Sequence, residues 1–209
     1  MKKGISITVA LVLVLFSVIP VFAVNTVTDQ TYGNLYEQFN DLEDEGLGVS
    51  IPSIAKAVQA GIFRGDSSGN FQPYKPTTGT ELILVMLRLL NLDNNLPNGS
   101  ADVSSVPVWA QNDVGLAIEK GLMSQNDPVL TNGITRELTR AEALVFIAKA
   151  LNIQPDSSAS PFSDSSDPYI TALYKLGIVK GYGNGTVGSD KPLTRTELAI
   201  LIDRMLDLQ

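Results

Sequence analysis

The chain has 209 residues, of which 44% are hydrophobic and 18% charged, and a formal net charge of −7. It contains no Cys and no His, which excludes thiol nucleophiles, Ser-His catalytic arrangements, disulfides and most zinc sites. The acidic balance argues against nucleic acid and anionic lipid as partners, because both are gripped through basic surfaces.

Residues 1–23 have the form of a signal peptide. Lys2 and Lys3 precede an apolar run from Ile7 to Ile19, and Val21-Phe22-Ala23 is a small-x-small cleavage site. Cleavage would leave 209 − 23 = 186 residues, with 13 bases against 22 acids and a net charge of −9. That length suits one domain with a sizeable core, and no membrane contact is expected once the leader is removed. Val24 to Gln30 is polar and carries no predicted element.

From there the chain repeats itself. Residues 24–93 hold an N-terminal segment and a first unit, 100–153 a second and 162–209 a third, with polar, turn-forming linkers at 94–99 and 154–159. Each unit opens on an Asp (Asp41, Asp102, Asp164) and continues into a first helix, predicted at Ile54–Ala60, Trp109–Lys120 and Tyr169–Leu176. Gly61, Gly121 and Gly177 follow these helices, each suited to the left-handed position that ends a helix. A loop comes next, glycine-rich in Gly181-Tyr182-Gly183-Asn184-Gly185. A Thr-x-x-Glu tetrad then starts a second helix: Thr78 with Glu81, Thr139 with Glu142, and Thr194 with Glu197. This spacing is that of a capping box, in which the Thr hydroxyl and the Glu carboxylate satisfy each other's backbone N–H groups. Three boxes at matching places are an internal repeat, and repeats set architecture.

The second helices lack a polar face, as in Glu81-Leu-Ile-Leu-Val-Met-Leu-Arg-Leu-Leu90, so they are expected to be buried on most sides. The predicted fold is all-α: three helix–loop–helix repeats in a pseudo-threefold arrangement around a central three-helix bundle. Arg88, Lys149 and Arg204 each lie seven residues after a box Glu and read as solvated bases matched to the helix dipole.

Catalysis has no sequence support, since none of the 22 acids stands in a context that singles it out, and Asp66-Ser67-Ser68-Gly69-Asn70 lacks the spacing and closing Glu of a calcium loop. No metal site and no cofactor are expected. Binding is better supported. Arg140 and Arg195 stand one residue after a cap Thr, where free N–H donors, the helix dipole and a guanidinium fork could together hold a carboxylate or phosphate. Trp109 and Tyr169 could offer flat faces to a sugar ring. Structural Arg–Asp pairs and a core Trp would account for the same residues equally well.

The ordered pattern resembles the S-layer homology (SLH) repeat. The matching residues are Ala101-Asp102-Val103, Trp109-Ala110, Gly121-Leu122 and Leu138-Thr139-Arg140-Ala141-Glu142, then Phe162-Ser163-Asp164, Gly177-Ile178, Gly181-Tyr182-Gly183 and Leu193-Thr194-Arg195-Thr196-Glu197. The resemblance implies a three-repeat module of the bacterial cell wall or cell surface that binds anionic, pyruvylated secondary cell-wall polysaccharide. It also implies ligand-binding roles for Arg140, Arg195, Asp102, Asp164, Trp109, Tyr169, Gly181, Tyr182 and Gly183. Another surface protein is a further expected partner. Unit one departs from the pattern, with Gly79 in the place of the Arg, and unit two lacks the Gly-Tyr form of the loop between Ser124 and Gly133. Working sites are therefore expected at Arg140 and Arg195, with unit one degenerate. The rival reading is a helical assembly domain of the envelope that has lost glycan binding.

Overall fold

The computed structural model describes residues 29–208, so the expected signal peptide and the polar segment 24–28 lie outside the described residues. Eight α-helices follow in order: α1 Asp29–Gln38, α2 Ile51–Gln59, α3 Gly79–Leu89, α4 Gln111–Glu119, α5 Pro128–Thr131, α6 Arg140–Ala150, α7 Pro168–Lys175 and α8 Arg195–Leu206. The described residues hold no strands, only isolated bridges, and the fold is all-helical. No described helix is long and apolar enough to cross a membrane.

The local signals act as read. All three capping boxes form, with the Thr side chain accepting from the box Glu N–H and the Glu carboxylate accepting from the Thr N–H. Gly61, Gly121 and Gly177 adopt φ of 73°, 74° and 77°, the left-handed region where a Cβ is disfavoured. Two helices arise without a sequence signal. The polar α1 is held by Leu35 and Phe39, both buried, while α5 is a single turn capped by Asp127, whose side chain accepts from Val129 N–H.

The units are interlocked rather than stacked. The first helix of each unit packs most extensively on the second helix of the unit before it: α4 on α3, α7 on α6 and, closing the circuit, α2 on α8. Leu82, Ile83, Met86 and Leu87 of α3, Leu144 and Ile147 of α6, and Ile202 of α8 are fully buried. Each such side chain contributes on the order of 2 kcal/mol of apolar burial. At the α2–α8 closure, Ser53 donates to Asp203 (2.7 Å), and Lys56 pairs with Asp203 (2.9 Å) and Asp207. Burial alone would push the Lys56 pKa down, but the two carboxylates outweigh it and hold it up.

The segments before the three boxes close a ring of backbone hydrogen bonds. Thr77 N–H donates to the Leu193 carbonyl (2.7 Å), Leu193 N–H to Leu138 (3.1 Å), and Leu138 N–H to Thr77 (2.9 Å). Past each cap Thr, the next two N–H groups make a handover in the opposite sense round the ring. Gly79 and Thr80 donate to Arg136 and Ile134, Arg140 and Ala141 to Lys191 and Ser189, and Arg195 and Thr196 to Lys75 and Pro73. Each second helix therefore begins against the loop of a different unit.

Two expectations change at this point. The first N–H groups of α3, α6 and α8 are not free for an anion, because neighbouring carbonyls and the cap Thr hydroxyls take them. Arg88 and Arg204 are not solvated bases either. Each donates to the carbonyl after its own unit's C-terminal glycine, Ile62 at 3.3 Å and Ile178 at 2.9 Å. Those carbonyls lie at a helix end, where orphan acceptors need a donor.

Candidate functional site: three helix–loop junctions

The handover creates three junctions, each joining a helix start to the loop of another unit: α8 to unit one, α3 to unit two, and α6 to unit three. Their chemistry differs.

At the α8 junction, Arg195 is held by two backbone carbonyls and two rings. Its Nε donates to the Phe71 carbonyl (2.8 Å) and its Nη2 to Arg64 (3.0 Å), and the guanidinium lies 5.2 and 4.9 Å from the Phe63 and Phe71 ring centroids. Burial lowers its pKa. The unit-one loop is clasped by Asp41, whose two oxygens accept from Phe71 and Gln72 N–H at 2.8 and 2.7 Å.

At the α6 junction the same motif position is used differently. Arg140 is only 6% exposed, yet its Nε and Nη1 are buried with no hydrogen-bond partner. Nη1 lies 3.5 Å from Glu197 Oε1, and the guanidinium sits 5.4 Å from the Tyr182 ring centroid. Lys191 Nζ lies 4.6 Å from that same centroid. The Tyr182 hydroxyl donates to Glu197 Oε1 at 2.6 Å. Burial first, and then this bond to a carboxylate, push its pKa up to about 12, so it stays a donor at physiological pH.

Asp164 builds the platform for this site. Its carboxylate accepts from Val187 (2.8 Å), Gly188 (2.7 Å) and Ser189 (3.1 Å) N–H, and its backbone carbonyl accepts from the Ser189 hydroxyl (2.7 Å). Gly181 is required here, since a Cβ on it would lie 2.6 Å from both the Phe162 ring and the Thr186 carbonyl. Gly183 (φ 80°) turns the loop tip in open space. The amides, Val187 foremost, hold the Asp164 pKa below its ordinary 3.8. A group with a depressed folded pKa contributes stability above its unfolded pKa and loses it as pH falls. Thermal stability should therefore drop as pH falls below about 4, and Asp164→Asn should flatten that part of a melting-temperature profile.

The α3 junction has Gly79 where the other two have Arg, and the bases beside it, Lys75 and Arg136, pair with Glu81 and Glu142. A Cβ on Gly79 would lie 2.7 Å from the Ile134 carbonyl oxygen and 2.9 Å from Val129 Cγ1. The turn of α5 thus occupies the space beside the helix start. Asp102 does not clasp this loop; it accepts only from Ser104 N–H in its own turn (3.0 Å). Reading along the chain placed the lost Arg in unit one and the altered loop in unit two. In space they are one junction.

The predicted ligand residues are therefore dispersed. Arg140, Asp164, Gly181, Tyr182 and Gly183 gather at α6 and the unit-three loop, and Arg195 stands at unit one. Asp102 and Trp109 belong to unit two, with Trp109 69% exposed. Tyr169 faces Lys149, whose Nζ is 5.7 Å from its ring centroid. Lys191 was not foreseen, although a base stands three residues before every cap Thr (Lys75, Arg136, Lys191). In the first two units it pairs with its own box Glu, Lys75 with Glu81 at 2.5 Å and Arg136 with Glu142 at 2.6 Å. In the third, Glu197 is taken by Tyr182 and Arg140, and Lys191 lies over the ring instead.

The chain is 24% identical over 179 residues to the surface-layer 125 kDa protein of Lysinibacillus sphaericus, covering 81% of this chain and 15% of that protein. It is 36% identical over 99 residues to the S-layer protein sap of Bacillus anthracis (45% of this chain, 12% of that protein). It is also 25% identical over 178 residues to exoglucanase XynX of Acetivibrio thermocellus (81% and 16%). The chain thus spans less than a fifth of the length of each of these relatives. The S-layer homology domain matches residues 48–83 and 159–199, which include the two loops that Asp41 and Asp164 clasp. Two segments of this chain thus carry the sequence of the S-layer homology domain.

Proposed function

We propose that the chain is a non-catalytic module of the bacterial cell surface that holds an anionic wall polysaccharide at the α6 junction. The observation that carries this reading is Arg140, a buried guanidinium whose Nε and Nη1 make no hydrogen bond and which meets Glu197 only at 3.5 Å, beside Lys191 and the face of Tyr182. A carboxylate on a sugar, such as a pyruvate ketal, matches that set, because the cations pair with the acid and the aromatic ring takes the sugar's C–H face. With a net charge of −7 on the whole chain, capture depends on this local site and not on the long-range field. Similar stretches occur in relatives named as S-layer proteins and in one named as an exoglucanase. A stretch shared by proteins of such different names favours a portable binding module over a catalytic domain.

The test is co-sedimentation with purified wall sacculi before and after chemical removal of their polysaccharide. Pelleting with intact sacculi only is expected; equal pelleting with both, or with neither, sinks the proposal. The filled α3 junction favours a second reading, an envelope assembly domain without glycan binding, and that reading requires the outcome with neither.

A further inference from the structure

Three Asn-Gly pairs stand in the chain, at Asn98-Gly99, Asn132-Gly133 and Asn184-Gly185, and all six residues are exposed. An Asn side-chain amide can be attacked by the backbone nitrogen that follows it, and a following Gly hinders that nitrogen least because it has no Cβ. Dipeptide and solvent access are the same at each pair, so the surroundings decide which one reacts. At Asn132 the nucleophile is occupied: Gly133 N–H donates to the Leu130 carbonyl (3.2 Å) at the end of α5. At Asn98 a carboxylate lies across the turn. Glu119 accepts from Asn98 N–H (2.7 Å) and Ser100 N–H (3.0 Å), on either side of Gly99, and its negative charge opposes deprotonation of the Gly99 nitrogen.

Asn184 has neither restraint. Gly185 N–H has no acceptor among the described residues, while Ser163 fixes Gly185 by donating its N–H (2.9 Å) and its hydroxyl (3.2 Å) to the Gly185 carbonyl. Asn184 Oδ1 accepts from Thr186 N–H at 3.1 Å and from Thr186 Oγ1 at 2.7 Å, whereas Asn98 Oδ1 accepts from Ser100 N–H (2.9 Å). Attack at Cγ turns this oxygen into an oxyanion, and two donors at that range are the arrangement that stabilises one. We infer that Asn184 is a self-modifying site, converted without an enzyme to aspartate and isoaspartate. The Gly185 nitrogen gives its proton to a solvent base and bonds to Asn184 Cγ. The Cγ–Nδ2 bond breaks, and that nitrogen takes up a proton and leaves as ammonia. Water then opens the cyclic imide at either carbonyl, so the chain continues through the α- or the β-carboxyl group. Either product adds a negative charge to the loop that presents Tyr182 to Arg140 and Lys191, and an anionic ligand then meets a weaker local field. Conversion is thereby a timer for release from the wall, a consequence that rests on the reading of the α6 junction as the wall-binding site.

The full chain is aged in mildly alkaline buffer, and its tryptic peptides are followed by mass spectrometry and by isoaspartyl methyltransferase labelling. Asn184 should convert about tenfold faster than Asn98 and Asn132. In concentrated urea, which removes the surroundings, the three rates should converge. Thr186→Val keeps the shape and the N–H but not the hydroxyl, and should slow Asn184 severalfold with the circular dichroism spectrum unchanged. Thr186→Ser restores a hydroxyl and should retain the rate. A faster Asn98 or Asn132, a ranking that survives in urea, or an unchanged rate in Thr186→Val overturns the inference. Asn184→Asp should pellet less than the parent chain with intact sacculi, and equal pelleting would strike out the timer. The mass readout is independent of wall binding. A chain that never pellets sinks the α6 reading and leaves the modification standing; pelleting with an unchanging Asn184 sinks the modification alone.

Discussion

Replacing Gly79 by alanine should lower the melting temperature, against the usual trend. At a helical position Gly→Ala ordinarily stabilises by about 1 kcal/mol, through the smaller backbone entropy of the unfolded chain. Here the added Cβ would stand 2.7 Å from the Ile134 carbonyl oxygen, a backbone atom that cannot rotate away, and 2.9 Å from Val129 Cγ1. Thr80 N–H is already bonded to that same carbonyl at 3.0 Å, so relief would have to break the handover between α3 and the unit-two loop. Overpacking of this kind costs about 1–3 kcal/mol, enough to outweigh the helical gain and lower the melting temperature by several degrees, on the order of 5 °C. Gly115 in α4 is the control. A Cβ there meets nothing closer than Pro97 Cβ at 3.5 Å, so Gly115→Ala should raise stability by about 0.5–1 kcal/mol. Paired thermal melts of the two variants decide the matter, and a stabilised Gly79→Ala would show that α5 does not fill the junction.

What was legible in the sequence was local. The capping boxes, the terminating glycines and the helices between them depend on residues within one or two turns of each other, and Thr139 with Glu142 needs no partner elsewhere. What was not legible was which unit each helix start meets. Gly79 and the 124–133 loop read as separate departures in separate units, because the bond from Thr80 N–H to Ile134 joins residues 54 positions apart (134 − 80). The helix α1 was missed for a related reason. Its sequence is polar and carries Gly33, and only the burial of Leu35 and Phe39 by the rest of the chain makes it stable. Arg88 and Arg204 were placed correctly near helix ends, but their partners are the carbonyls of a different helix's terminus. The spacing of Lys75, Arg136 and Lys191 was visible; that only the third would stand free of its box Glu follows from the Tyr182 hydroxyl, which takes Glu197, whereas the Tyr74 hydroxyl of the unit-one loop goes to Asp44.

Arg140 and Arg195 hold the same place after the cap Thr, and the same substitution should have opposite effects on stability. Arg195→Met strips donors from the Phe71 and Arg64 carbonyls and removes a cation from beside two packed rings. Loss of two charge-assisted bonds, each worth about 1.5–3 kcal/mol, should lower the melting temperature by several degrees. Arg140→Met removes a buried cation whose Nε and Nη1 have no hydrogen-bond partner. Glu197 is not orphaned by the change, since Tyr182 and Thr194 still donate to it. Removing one partner of a buried ion pair is ordinarily destabilising because it strands the other charge, but here the remaining carboxylate keeps three donors, so the melting temperature should hold or rise. Binding should move the other way: two unmade bonds to an anion, at roughly 1.5–3 kcal/mol each, correspond to at least a tenfold loss in wall pelleting. Melting and sedimentation measured side by side on the two variants separate a clamp from a ligand-seeking residue. If Arg140→Met melts early and still pellets, the guanidinium is part of the scaffold, and the α6 junction is not where the wall is held.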